Sequence, residues 1–449
     1  MKSFTTKMDI EKLGTILLIV GMIMLPAVEF VCSLFANHFL FQEEIVILMG
    51  LTSFICILLL TLKNQQLQLY KSDLFILLLF VFAILSLIFT KDMDESLYGH
   101  APFYREGLLV FFSYYSVAFF SSRIAKTDYR KWILKTFLIL GIIEIIVGIL
   151  QFNGLWPYPA LFGDTVNIDE CAFGYPTWAF GFTENCNFFS ALTVIFTGLT
   201  AGLFLISEGK KRLIYLFLTA FCFYGVLTTY SRLGILGTIG FICYLLLISF
   251  VAYKLKVKKT ALSPKYILFL FGIYILVLLI ACLFSPELMN NFLKFKTEFS
   301  SGNLDNLGSG RMLIWKKGLE TVPHYWYIGT GLDNYVYSFF WDNPNYEGFY
   351  QQKGHNEYIH ILVTQGVFTL ITWLSMILYN LTTSTRRFFY SDDTESKITF
   401  ILIVMYGGYL CQALANSSVT NVAIYNWVIT GLLLYTADKK PLKTIEMKS

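Results

Sequence analysis

Apolar runs recur along the whole chain, each of about 20 residues, the length of a helix that crosses a lipid bilayer. Only 14% of the 449 residues are charged, against roughly 25% in soluble proteins. So few charges could not cover about three soluble domains of ordinary size. The pattern excludes a soluble enzyme, a secreted disulfide scaffold, a nucleic-acid-binding protein and a disordered protein. It predicts an all-α polytopic membrane protein.

We predict twelve membrane spans in this sequence. They lie at 13–35, 43–62, 74–90, 105–121, 132–152, 187–206, 213–230, 232–252, 266–284, 356–379, 398–416 and 420–436. The first is long and lacks a small-residue cleavage site, so we expect no cleavable signal peptide.

The distribution of lysine and arginine predicts the orientation of the chain. With the N-terminus placed in the cytoplasm, the inner segments carry 25 of the 34 Lys and Arg residues and the outer segments carry 9. Positive charge is enriched on the cytoplasmic side of membrane proteins. We therefore predict a multi-pass protein of the cytoplasmic (inner) membrane with both termini in the cytoplasm.

The spans divide the chain into four predicted parts. These are transmembrane helices 1–9 at 1–284 with an outer loop at 153–186, a large, partly helical extracytoplasmic loop at 285–355, helices 10–12 at 356–436 and a cytoplasmic tail at 437–449. Loops of this length are usually functional. All five histidines fall in outer loops or at the outer end of a span, which points to chemistry on the external face.

Two arginines on the outer side, where positive charge is scarce, are candidate anion-binding residues. Arg232 lies in a polar interruption between two spans, where an unpaired charge would be costly. Arg311 follows Gly308-Ser309-Gly310 and opens a predicted helix, a setting in which backbone N–H groups and a guanidinium suit phosphate oxygens. The alternatives are a membrane-interface anchor for Arg232 and a flexible turn for the glycines before Arg311.

His355 is the candidate acid–base group, within Lys353-Gly354-His355-Asn356 at the outer mouth of span 10. Histidine is the side chain best suited to proton transfer near neutral pH. The positive end of the helix dipole should favour its neutral form. The alternative is an ordinary surface histidine at the end of a loop.

The sequence allows more than one role for Glu144 and for a pair of cysteines. Glu144 lies near the middle of span 5, where it could balance a buried arginine or hold two helices together. Cys171 and Cys186 share the first outer loop and could form a disulfide or remain free thiols. No metal-ligand spacing of Cys and His occurs in the sequence.

A set of short motifs appears in a fixed order from about residue 180 to 370. It comprises Gly181-Phe182-Thr183-Glu184-Asn185-Cys186-Asn187-Phe188-Phe189, Thr229-Tyr230-Ser231-Arg232, Gly310-Arg311 with Trp315, Pro323, Gly329-Thr330-Gly331-Leu332, and His355-Asn356 with Gly366. This set resembles the O-antigen ligase superfamily, which includes ligases, surface-polysaccharide polymerases and protein O-oligosaccharyltransferases. One departure is Glu184-Asn185-Cys186-Asn187, where relatives often show an Asn-Pro-Asn-like turn.

The resemblance implies a GT-C-like membrane glycosyltransferase that works without a nucleotide sugar. It would transfer a glycan from undecaprenyl diphosphate to an acceptor hydroxyl on the outer face of the cytoplasmic membrane. By the same resemblance, Arg232 and Arg311 would bind the lipid diphosphate, and His355 would activate the hydroxyl. We expect the substrate-binding residues to be Tyr230, Ser231, Gly310, Trp315, Asn356, Asn185 and Asn187.

Leaving-group chemistry agrees with these roles. Cleavage of the anomeric C–O bond places negative charge on the diphosphate, and fixed cations stabilise such charge. The large outer loop has no Asp-x-Asp pair to hold a metal, so we expect a metal-independent enzyme with no cofactor. A glycosidase would need two paired carboxylates, for which Asp333 and Asp342 are the remaining candidates.

We expect the protein to polymerise repeat units of a capsule, exopolysaccharide or O-antigen. The expected partners are an undecaprenyl-diphosphate-linked oligosaccharide, an acceptor glycan or lipid, membrane lipids and other polysaccharide-assembly membrane proteins, but no nucleic acid. The alternatives are a ligase that attaches finished glycan to a lipid or protein, a non-catalytic transporter or flippase, and a structural scaffold of the envelope. Cations deep within the spans would favour a flippase, whereas here they lie at the outer edge.

Overall fold

The computed structural model of the chain contains two kinds of segment, a large set of helices and one short strand pair. It describes residues 9–33, 41–100, 105–155, 179–183, 185–286, 288–290, 293, 308, 310–348, 350–437 and 442–446.

The N-terminal half of the fold is a series of apolar helices. They are α1 Ile10–Ser33, α2 Gln42–Asn64, α3 Lys71–Leu85, the short α4 Met93–Tyr98, α5 Leu108–Ser121, α6 Thr127–Phe152, α7 Cys186–Ile206, α8 Gly209–Thr228 and α9 Arg232–Lys254. A 3₁₀ turn at Ser86–Phe89 continues α3.

The C-terminal half adds five helices and two 3₁₀ turns. The helices are α10 Pro264–Phe284, α11 Arg311–Tyr325, α12 Glu357–Tyr390, α13 Thr394–Gln412 and α14 Thr420–Ala437, and the turns are Thr260–Leu262 and Tyr335–Phe339.

Each predicted span coincides with one of these helices, which confirms the all-α polytopic membrane fold. Within the described ranges, nine helices are long and apolar enough to cross a membrane. Helices α5, α13 and α14 are shorter or less apolar and coincide with predicted spans 4, 11 and 12. The short helices α4 and α11 lie between spans.

Helix α7 is the centre of the bundle. In its most apolar window 89% of the residues are buried, far more than in the other candidate spans. Gly198 and Gly202 face the backbone of α13, where a Cβ would lie 3.0 Å from Met405 Cα and 3.1 Å from Ile401 Cα respectively. Small residues spaced in this way let two membrane helices approach closely, and this contact fixes the N-terminal end of α7 near the end of α13.

The connections group the candidate residues at one end of the bundle. Because the spans alternate in direction, one end of the bundle holds the described segments 90–100, 105–107, 179–183, 185–187, 229–232, 310–348, 350–356 and 413–419. The opposite end holds the lysine-rich connections and a short antiparallel ribbon in which β1 (Gln66–Leu69) pairs with β2 (Lys443–Glu446). The ribbon was not expected from the predominantly helical sequence pattern, and it ties the C-terminal segment to the α2–α3 connection.

Helix α12 is broken near its outer end. Gly366 has φ +81° and ψ 177°, which no helix can accommodate. The segment after α11 inserts at the break: Thr330 N donates to Val363 O at 2.9 Å, Gly331 N donates to Thr364 O at 3.0 Å, and Val367 N donates to Trp326 O at 2.7 Å. The break therefore frees carbonyls that bind the Gly329-Thr330-Gly331 turn and holds the outer segment on the bundle.

Candidate active site

His355 lies in a tight turn immediately before α12. Its φ is +45°, which is uncommon for a residue with a side chain. Asn356 caps the helix, because its Oδ1 accepts from Ile359 N at 3.0 Å. The backbone N–H of His355 donates to Ser417 Oγ at 3.0 Å. Contacts on both sides of the residue thus fix the turn.

The His355 imidazole is held in its neutral form. Burial, and after it the charge of Arg311, lowers its pKa to about 3. The helix dipole, on which the sequence argument relied, is not needed to explain this shift. The residue as a whole is half-buried, but its Nδ1 is fully buried and has no hydrogen-bond partner among the described residues. A neutral imidazole with an unused nitrogen can accept a proton from a hydroxyl group.

Arg311 begins α11, as predicted, and the helix continues to Tyr325. Two glycines with positive φ precede it, Gly308 at +66° and Gly310 at +83°. The Arg311 Nη1 donates to Gly308 O at 2.8 Å. The charge of this half-buried guanidinium acts on His355 and also on Cys186, the first residue of α7. Arg311 is therefore close enough to the start of α7 and to the His355 turn for its charge to act on both.

Trp315 is one turn further along α11 and packs on a small apolar cluster of Ile314, Tyr335, Phe339 and Val363. In this cluster Tyr335 OH donates to Ile314 O at 2.9 Å. The arrangement anchors α11 on α12. The position of Arg311 thus depends on a packed helix, while the flexible turn proposed as the alternative for the preceding glycines is not tested by these contacts.

The Tyr230–Arg232 element joins α8 to α9. Tyr230 has φ +52°, and its hydroxyl shares a hydrogen bond of 2.9 Å with Ser285 Oγ. Ser231 Oγ donates to Asn187 Oδ1 at 2.8 Å. The half-buried Arg232 is the first residue of α9, so it adjoins this contact through its backbone.

A chain of hydrogen bonds runs from Ser231 to His355. Asn416 Nδ2 donates to Asn187 O at 2.9 Å, and Asn416 Oδ1 accepts from Ser417 N at 2.9 Å. Ser417 in turn accepts from His355 N. The chain joins three of the predicted motifs through the 413–419 connection, which the sequence reasoning did not single out. Its only signal was a run of small polar residues, Asn416-Ser417-Ser418, between two apolar spans.

Polar residues of α6 hold the loop that leads into α7. Gln151 Oε1 accepts from Phe180 N at 3.0 Å and from Gly181 N at 2.8 Å. Glu144 Oε2 accepts from Phe182 N at 3.1 Å. Of the two open readings for Glu144, this contact agrees with a tie between elements, and the partner is a loop backbone. Asn185, at the end of the loop, caps α7 by accepting from Asn187 N at 2.8 Å.

A buried ion cluster lies beside the His355 turn. Lys353 Nζ is 2.6 Å from Asp333 Oδ1 and 3.0 Å from Glu106 Oε2. Burial lowers the pKa of Lys353, but the charges of Asp333 and Glu106 outweigh it and raise the pKa above its ordinary value. Burial likewise opposes ionisation of Asp333, yet the Lys353 charge lowers the pKa of this carboxyl. Asp333 is thus an ion-pair partner, which removes one of the two carboxylates considered for a glycosidase.

Three further predictions concern the cysteines of the first outer loop, the second histidine of this region and metal binding. Cys171 and Glu184 lie outside the described residues, so the disulfide with Cys186 stays a prediction. His360 stacks on Tyr335 with 5.4 Å between ring centroids, and its Nδ1 accepts from Gly354 N at 3.3 Å. No group of three His, Cys, Asp or Glu residues suited to a metal ion occurs in the part of the chain that the structure describes.

Comparison with known proteins connects this geometry to a family. Residues 214–374 match the family model described as O-Antigen ligase. The matched segment contains Arg232, Arg311, Trp315, His355 and Gly366, and it ends before the 413–419 connection. A search of curated proteins found no match. The family match shows an O-antigen ligase domain at residues 214–374, within a bundle of membrane helices that gathers the predicted motifs at one end.

Proposed function

We propose that the protein is a metal-independent membrane glycosyltransferase that uses a glycan carried on undecaprenyl diphosphate. It transfers this glycan to an acceptor hydroxyl on the outer face of the cytoplasmic membrane. The observation that carries the proposal is that Arg311, at the start of α11, lies close enough to a buried, neutral His355 for its charge to act on the imidazole. A fixed cation and an unprotonated imidazole at one site are the two groups that displacement of a diphosphate by a hydroxyl requires.

In the proposed reaction the acceptor oxygen attacks the anomeric carbon of the donor glycan. The bond from that carbon to the diphosphate oxygen breaks, and its electron pair leaves with the lipid diphosphate. The acceptor proton passes to the imidazole of His355. Arg311 and Arg232 stabilise the charge that grows on the leaving diphosphate, since fixed charges need little reorganisation as the reaction proceeds.

The remaining predicted residues support these groups. Asn356 caps α12, and Ser231 with Asn187 holds the starts of α9 and α7 together. Gly310 sets the backbone from which Arg311 projects. Trp315 lies on α11 with Arg311, and Tyr230 lies two residues before Arg232. We propose that these two aromatic residues bind the sugar and lipid portions of the donor. The other proposed partners are the acceptor glycan or lipid, the surrounding membrane lipids and further polysaccharide-assembly membrane proteins.

We propose polymerisation of repeat units as the physiological outcome, with the site on the extracytoplasmic side and both termini in the cytoplasm. Positive charge concentrated at the end of the bundle opposite the site supports this orientation. Accessibility of single cysteines introduced at each end of the bundle to an impermeant thiol reagent tests it. If the reagent labelled a cysteine at the 413–419 end only after the membrane was permeabilised, the orientation would be contradicted.

Reconstitution with a purified lipid-linked repeat unit tests the reaction itself. The wild type should form a ladder of products in the presence of a metal chelator, and Arg311→Ala and His355→Ala should each slow product formation by at least about 100-fold. A single transferred unit would indicate a ligase in place of a polymerase. Undiminished activity of both variants would refute the site, and dependence on added metal would refute the proposed chemistry.

A further inference from the structure

The turn that carries His355 is held from both sides by the same buried ion cluster. Lys353, two residues before His355, supplies the central cation. Ser418 follows Ser417, the residue that binds His355 N, and Ser418 Oγ donates to Glu106 Oε1 at 2.8 Å. The turn is therefore connected to Glu106 twice, directly through Lys353 and indirectly through Ser417 and Ser418.

Glu106 is the centre of the cluster. Besides Lys353 and Ser418, it accepts a hydrogen bond of 2.7 Å from Tyr114 OH on α5. The side chain of Glu106 is 2% exposed and that of Lys353 is 9% exposed. A carboxylate so buried is stable only when its oxygens are paired, and each oxygen of Glu106 has a partner in this arrangement.

Asp333 connects the cluster to the broken helix. It belongs to the turn that inserts at the break in α12, and its φ is +57°. Its Oδ2 accepts from His100 N at 2.8 Å and from Glu106 N at 3.2 Å. Asp333 and His355 both hold a strained backbone conformation, which persists only where the surroundings impose it. The cluster joins these two strained residues through Lys353.

We propose that Lys353, Asp333 and Glu106 are positioning residues for His355. They fix the 353–356 turn against the start of α5 and the 413–419 connection, so that the imidazole faces the acceptor hydroxyl. This inference rests on the proposed role of His355. It assigns the cluster no contact with substrate.

Glu106→Gln tests the inference, because the amide oxygen can still accept from Tyr114 and Ser418 while the charge that holds Lys353 is lost. We expect kcat to fall by about tenfold or more, since small displacements of a reacting group are costly. We expect KM to stay within about twofold, because no contact with the substrate is removed.

The matched control is Asp73→Asn in α3, whose ion-pair partner Arg123 follows the opposite end of α5. Asp73 is 1% exposed and pairs with Arg123 at 2.6 Å, so its loss also unbalances a buried ion pair. We expect the control to lower thermal stability and to leave kcat per folded molecule unchanged. If Glu106→Gln lowered activity only in proportion to folded protein, as the control should, the cluster would be merely structural and the proposal would be overturned.

A second readout does not depend on transfer. Carbethoxylation of His355 by diethyl pyrocarbonate, followed by peptide mass spectrometry, reports the exposure of the imidazole. We expect it to be faster in Glu106→Gln than in wild type and unchanged in Asp73→Asn. Equal rates in all three proteins would contradict the inference even if transfer were lost. If the wild type forms no product while Glu106→Gln still changes the labelling, the proposed function fails and the positioning role stands.

Ser418→Ala is the replacement test if the Glu106→Gln variant does not fold. It removes a single hydrogen bond to Glu106, so we expect a smaller fall in kcat of about threefold to tenfold. A kcat equal to that of wild type in this folded variant would overturn the proposed link between Glu106 and His355.

Discussion

The backbone N–H of His355 donates a hydrogen bond of 3.0 Å to the hydroxyl of Ser417, which lies 62 residues later in the chain. This bond makes the short connection between α13 and α14 part of the candidate site. It also continues through Asn416 to Asn187 and so reaches the start of α7. Elements far apart in sequence thus support the imidazole from its backbone side.

Ser417→Ala should weaken transfer without unfolding the protein. The change leaves the His355 N–H without its acceptor, a loss of about 1 kcal/mol, which corresponds to roughly fivefold in kcat if it displaces the imidazole. Initial rates with the lipid-linked donor would measure this. The control is Thr372→Ala in α12, whose hydroxyl donates within its own helix, to Phe368 O at 2.8 Å. An equal effect of the two substitutions would contradict the role of Ser417.

The pH profile of kcat/KM should show that the base stays unprotonated well below neutral pH. Burial and the Arg311 charge lower the pKa of His355 to about 3, whereas a free histidine titrates near about 6.5. A base loses activity as the pH falls through its own pKa, and kcat/KM reports the free enzyme. We therefore expect a level profile from pH about 7 down to about 5.

Arg311→Gln should move the acid limb of that profile to higher pH, because less positive charge then opposes protonation of His355. Lys317→Gln, a change of another cation on α11 that forms a pair with Glu320 at 3.6 Å, is the control and should leave the limb in place. A wild-type acid limb near the ordinary histidine pKa that does not respond to Arg311→Gln would argue against this electrostatic coupling.

Gly366→Ala should destabilise the protein by about 2 kcal/mol or more, because alanine is strained at positive φ. A Cβ at this position would also lie 2.4 Å from Tyr327 C and O, so the inserted turn would have to move. Gly272→Ala in α10 is the matched control, since nothing lies within 4 Å of its added Cβ. Thermal unfolding in detergent should show a lower midpoint for Gly366→Ala alone. Equal midpoints would show that the break in α12 is not required.

Glu144→Gln should retain activity, whereas Glu144→Leu should lose it. The Glu144 Oε2 accepts from Phe182 N at 3.1 Å, and an amide oxygen can replace it in that contact. Leucine would leave a buried N–H without a partner, at a cost of about 1–3 kcal/mol, and would loosen the loop before α7. If the glutamine variant were as inactive as the leucine variant, the charge of Glu144 would matter and our reading of this contact would be wrong.

The membrane fold could be predicted because its main cause is local. Each span can be identified from its own run of apolar residues. Nearby glycine and polar residues likewise predict that Arg311 and Arg232 lie at the starts of helices. The family motifs then indicated which polar residues to consider as the candidate site. These signals are contained in short stretches of sequence.

The support of the site could not be predicted in the same way. Glu106 precedes α5, whereas Asp333 and Lys353 lie 20 residues apart in the connection between α11 and α12. Their pairing depends on where the broken α12 places the inserted turn. Asn416-Ser417-Ser418 resembles any polar connection between spans. Tertiary contacts of this kind leave no periodic pattern, so a single sequence does not reveal them.

The most direct test of the account is the single-turnover rate of His355→Ala at a saturating concentration of lipid-linked donor. We predict a fall of at least about 100-fold, as expected for loss of a general base, with donor affinity unchanged because Arg232 and Arg311 remain. A rate within about threefold of wild type would show that His355 does not accept the proton and would contradict the proposed mechanism.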